Sequence, residues 1–86
     1  MISNAKQREM KEQDIINLGF TKEFGEDFYY YVYDLASGFS LITQASDEVV
    51  DNKWFVEFFD SHPTLRFTDK ESVKALIKII NKAKIN

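Results

Sequence analysis

Residues 28–45 read Phe28-Tyr29-Tyr30-Tyr31-Val32-Tyr33-Asp34-Leu35-Ala36-Ser37-Gly38-Phe39-Ser40-Leu41-Ile42-Thr43-Gln44-Ala45. Five of the first eight are aromatic, and Tyr, Phe, Val, Ile and Thr suit a pleated, half-buried surface better than a helix. Ala36-Ser37-Gly38 interrupts the run, with Gly38 where a three-residue hairpin loop needs a left-handed residue. The stretch therefore predicts an aromatic β-hairpin. Its register pairs Leu35 with Phe39, Tyr33 with Leu41 and Tyr31 with Thr43 on one face. Asp34 with Ser40, Val32 with Ile42, and Tyr30 with Gln44 fall on the other. A slip of one residue would exchange the faces, and this register separates polar from apolar side chains best. The inner face is then Tyr29, Tyr31, Tyr33, Leu35, Phe39 and Leu41.

The flanks supply the other layers. Residues 5–18 predict an N-terminal helix, capped by Ser3 or Asn4 and stopped by Gly19, with Phe20 closing back on the last turn. Its apolar residues, Met10, Ile15, Ile16 and Leu18, come late, so residues 1–9 are expected to fray. Thr21 to Asp27 reads as a connecting loop, and Ser46 to Asn52 as an acidic turn. Lys53 to Phe59 predicts a third strand with Trp54, Val56 and Phe58 inward and Phe55, Glu57 and Phe59 outward. Beyond a turn at Asp60 to Pro63, Leu65-Arg66-Phe67 can add a short fourth strand, Leu65 and Phe67 inward. Thr68 and Glu71 have capping-box spacing ahead of a second helix, where Val73, Leu76, Ile77, Ile80 and Ala83 form an apolar stripe. The expected fold is a single α+β domain over residues 1–86: an N-terminal helix, a three- to four-stranded antiparallel meander, and a C-terminal helix packed on one sheet face, in the order α-β-β-β-(β)-α.

Composition restricts what such a domain does. The chain has 86 residues and no cysteine, which rules out disulfides and thiolate metal sites. No apolar run approaches the ~20 residues of a membrane span, and the start is too polar for a secretory signal, so a cytoplasmic location is expected. Net charge is −3, but residues 23–69 hold ten acids against Lys53 and Arg66. An acidic sheet is the wrong sign for phosphate.

Catalytic groups are sparse. His62, the single histidine, sits in a turn beside Ser61. Glu57, between Phe55 and Phe59, is the best-placed carboxylate for proton transfer, since apolar neighbours raise a carboxyl pKa. No Gly-rich phosphate loop is present. The acids of residues 46–52 lack the Gly and alternating ligands of a calcium loop. Neither enzyme activity nor a cofactor or metal is expected.

Two surfaces remain as candidates. The outer sheet face carries Phe28, Tyr30, Val32, Ile42, Phe55, Glu57 and Phe59, where an antiparallel sheet normally shows polar residues to water. Either the N-terminal helix covers it, or it serves a protein partner or a homodimer. The second surface is Lys70, Lys74, Lys78 and Lys82, spaced four apart along the C-terminal helix, which could meet an acidic partner or, together with the aromatics, a nucleic acid. The acidic middle of the chain also leaves open an acidic nucleic-acid mimic.

Leu18-Gly19-Phe20, the aromatic hairpin, Trp54-Phe55-Val56-Glu57-Phe58 and Phe67-Thr68-Asp69-Lys70-Glu71 before an Ile/Leu/Lys helix together resemble a group of short uncharacterised proteins of Bacteroidetes-type bacteria and their phages. The resemblance spans about residues 11–83. It implies a shared α+β fold and a mobile-element origin, with a phage accessory or inhibitor protein as one form of the interaction module. It implies no activity and no functional residue.

Overall fold

A computed structural model describes residues 9–36 and 38–83. The architecture is α+β: helix α1 (Glu12–Asn17), strands β1 (Thr21–Phe24), β2 (Tyr29–Ala36), β3 (Phe39–Thr43), β4 (Val56–Phe58) and β5 (Arg66–Phe67), then helix α2 (Lys70–Ala83). The strands form one antiparallel sheet in the order β1-β2-β3-β4-β5. Among the described residues no helix is long and apolar enough to cross a membrane.

The hairpin keeps the expected register over Val32–Ile42, Tyr33–Leu41 and Asp34–Ser40. Tyr31 N–H reaches Thr43 Oγ1 at 3.0 Å. At the tip the register shifts, so that Ala36 rather than Leu35 faces Phe39. Such a bulge places an extra residue on one strand and bends it. Leu35 stays fully buried while Phe39 is 59% exposed, which corrects the expectation that Phe39 lines the core. Gly38 adopts φ +84°, the left-handed conformation that its position requires.

The remaining corrections have local causes. Thr21 to Phe24 is a strand, not a loop. Gly25 N–H closes on Phe28 O at 2.8 Å, and that tight connection returns the chain into β2. All four β1 side chains are exposed, so no apolar alternation announces the strand. The helix that carries Ile15 begins at Glu12, and residues 9–11 of the expected 5–18 span are not helical. Glu9 and Met10 are extended, bridging Asp69 and Trp54, and this drives Met10 wholly into the core. The expected Ser3 or Asn4 cap lies outside the described residues, as does the fraying expected of residues 1–9 except at Glu9, which bridges Asp69 instead. The third strand shortens to Val56–Phe58, because the Gln44 side chain replaces the ladder before it, accepting from Phe55 N–H at 2.9 Å and donating to Lys53 O at 3.0 Å. Asp69, not Thr68, caps α2, accepting from Ser72 N–H at 2.9 Å. Leu65 lies outside β5 and is exposed, contrary to the inward position expected, whereas Phe67 packs on the core.

Met10, Ile15, Leu35, Leu41, Val56 and Val73 are completely buried, with Phe20, Tyr31 and Trp54 nearly so. Full burial of an aliphatic side chain of this size contributes about 1.5–3 kcal/mol. Leu76, Ile77 and Ile80 pack against this core from α2, as their spacing predicts, while Ala83 is exposed. Ile15 brings α1 to the same core. Lys70 Nζ lies 3.5 Å from Asp14 Oδ1, so the two helices are neighbours on one side of the sheet.

Candidate functional site

Because α1 and α2 share the inner side, the N-terminal helix does not cover the outer face. That alternative, left open by the sequence, is corrected by the burial of Ile15 among inner-face residues. The outer face presents one cross-strand row through Thr21, Val32, Ile42, Glu57 and Arg66. Tyr30 is opposite Glu23, and Asp34 is opposite Ser40, whose backbone carbonyl accepts from Phe59 N–H at 2.9 Å.

The seven outer residues proposed from the sequence fall into two groups. Tyr30, Val32 and Ile42 line a hollow of about 210 Å³ together with Ser40 and Phe59, and Phe28 adjoins it with its ring 6.1 Å from that of Tyr30. Phe55 and Glu57 are engaged by Arg66. Its guanidinium carbon sits 3.9 Å from the Phe55 ring centroid, and Nη2 is 2.7 Å from Glu57 Oε2. The planar guanidinium suits this combined stacking and ion pairing. Glu57 is thus a structural partner of Arg66 rather than a free acid in an apolar setting.

Phe59 is 64% exposed and forms a wall of a second hollow, of about 270 Å³, with Phe39 and Leu65. Alternation puts Phe39 and Leu65 inward. Phe39 and Phe58, which also lines this hollow, share the face of Leu41. The hollow therefore lies around the end of the sheet, reached from the outer face past Phe59, and the exposure of Phe39 and Leu65 there leaves no mark in the sequence. At the opposite end Val32 is shared with a hollow of about 370 Å³ that Glu23 and Asp34 line from the outer face and Tyr33 and Asn81 of α2 from the inner side. The result is a trough that crosses β2 and β3 on the outer face and opens at each end around the sheet, with Glu23 and Asp34 at one end and Phe39, Leu65 and Asp60 at the other.

The second candidate surface lies on the far side. Lys70 pairs with Asp14, while Lys74, Lys78 and Lys82 are exposed and have no ion-pair partner among the described residues. These lysines and the outer aromatics belong to opposite sides of the sheet.

Inner aromatics have a different setting. Tyr31 O–H donates to Glu12 Oε2 at 2.6 Å. Burial, and then this hydrogen bond, hold the Tyr31 phenol above its ordinary pKa, and the same causes raise Tyr29. Lys22 Nζ caps the Tyr29 ring at 4.1 Å, closing the part of the inner face that lies under β1. His62 is exposed, and among the described residues no three His, Asp or Glu side chains converge as metal ligands.

Comparison with family models, with curated proteins and with solved structures returns no match.

Proposed function

We propose that this chain is a small non-enzymatic protein-interaction module that docks a partner protein on its outer sheet face. The observation that carries this reading is the packing of both helices on the inner side, which leaves Tyr30, Val32, Ile42 and Phe59 uncovered among the described residues. Monomeric proteins seldom expose contiguous apolar surface without a use for it. The resemblance to short proteins of Bacteroidetes-type bacteria and their phages supports an accessory or inhibitor protein of mobile-element origin, acting in the cytoplasm.

The test uses wild type, Phe55→Glu and Phe59→Glu as bait in a lysate of the native host, with circular dichroism to establish that each is folded. A protein retained by wild type and lost by both folded variants supports the reading. Identical recovery by all three overturns it.

Lys74, Lys78 and Lys82, exposed and without an ion-pair partner among the described residues, favour a second reading, a nucleic-acid binder using the lysine face alone. Salt-dependent affinity for single-stranded DNA, abolished by Lys74→Glu with Lys78→Glu, supports it. No binding at ~50 mM salt, where phosphate contacts are strong, removes it.

A further inference from the structure

We propose that the outer trough takes a cationic, apolar segment of a partner protein, with a basic side chain beside Glu23 and Asp34 and apolar side chains on either side of Phe59. This rests on the docking reading above and adds the chemistry of the partner.

The three hollows form a series. The acidic one and the central one share Val32, and the central and far ones share Phe59. Glu23 and Asp34 line the first, and Asp60 lines the last. No lysine or arginine lines any of the three. Glu23, Asp34 and Asp60 have no ion-pair partner among the described residues. Among the described residues Asp34 accepts only the Ser40 hydroxyl, at 2.7 Å. Arg66, whose register places it on this face, is already held by Glu57.

The apolar part is concentrated where the trough ends. Phe59, Phe39 and Leu65, at 64%, 59% and 48% exposure, surround a single hollow. Such a ridge between two depressions gives a partner separate seats for two apolar anchors, the arrangement in which binding energy concentrates. Carboxylates at both ends add attraction for a basic segment and repulsion for an acidic one.

The same charges argue against a second copy as occupant. A two-fold dimer would set each patch on its own duplicate, bringing Glu23, Asp34 and Asp60 against three identical acids. Phosphate is repelled in the same way.

Amide NMR titration of the full chain at low salt, with three short capped peptides, tests this. Each peptide carries leucine and phenylalanine, with lysines, glutamines or glutamates beside them. The lysine peptide is expected to shift the amides of Tyr30, Val32, Ile42 and Phe59, and the glutamate peptide to bind about tenfold or more weakly. Asp34→Asn, at an exposed position, is expected to weaken the lysine peptide severalfold while leaving the glutamine peptide unchanged. Equal binding by the lysine and glutamine peptides at those amides overturns the cationic preference and leaves the docking reading intact. If no peptide shifts those amides, both fall. Shifts of the same amides with protein concentration alone make a second copy the occupant and overturn the proposal.

Discussion

The carboxylate of Glu12 accepts the hydroxyl of Tyr31 at 2.6 Å, tying the first turn of α1 to the middle of β2. Tyr31 is 2% exposed, and its ring meets Trp54 edge-on at 5.5 Å between centroids. Hydrogen bonds to a charged group contribute about 1.5–3 kcal/mol. Glu12 keeps some contact with water, so Tyr31→Phe is expected to cost about 1–2 kcal/mol, read as a lower urea midpoint with an unchanged slope. An unaltered midpoint would show that the bond adds nothing.

The same pair sets the alkaline limit of stability. A phenol whose folded pKa is raised binds its proton more tightly in the folded chain. Its contribution is therefore complete below the unfolded pKa, about 10, and is lost as pH rises through the folded value. Tyr31 and Tyr29 are both raised, by burial first and the Glu12 bond second. The urea midpoint should hold steady near pH 8, fall above pH ~10, and fall less steeply in Tyr31→Phe. A midpoint that rises above pH ~10 would contradict this sign.

Core substitutions should separate by depth. Leu41 is fully buried between neighbouring strands, so Leu41→Ala should cost ~2–5 kcal/mol. Leu76 is only partly buried, and Leu76→Ala should cost less. Chemical denaturation of both variants checks the order, and an inverted order would move the centre of the core toward α2.

Docking-surface residues should behave otherwise. Phe59→Ser and Phe39→Ser remove rings that face water, so each should change stability by no more than ~0.5 kcal/mol. A loss of several kcal/mol in either would mean that the ring is packed in solution and cannot be a free anchor.

The sequence's legibility follows the strength of its patterns. In the hairpin, alternation and Gly38 agree, and three pairs of the register hold as read. Val73, Leu76, Ile77 and Ile80 repeat at helical spacing and do face the core. The first strand is invisible because Thr21-Lys22-Glu23-Phe24 buries nothing, its pairing being a backbone matter. Met10 looks helical because spacing cannot record that its backbone carbonyl receives Trp54 N–H at 2.9 Å. The outer residues Tyr30, Val32, Ile42 and Phe59 were legible as a face. The exposure of Phe39 and Leu65 was not, since spacing records neither that β5 starts only at Arg66 nor that the inner side is open at this end of the sheet.

Every strand pairs with its neighbour along the chain, so the sheet can zip from adjacent turns with small loop-closure losses. Domains built from local contacts of this kind fold quickly. The bridges of Glu9 to Asp69 and Met10 to Trp54 join distant parts of the chain, and their closure entropy makes them late events. Met10→Ala should then accelerate unfolding while leaving the refolding rate nearly unchanged, a partition that stopped-flow measurements would resolve. A matching slowdown of refolding would put this clasp in the nucleus instead. With a late clasp, the sheet and its trough take shape before the chain is locked, and the lifetime of the folded state is governed by how long Met10 stays seated.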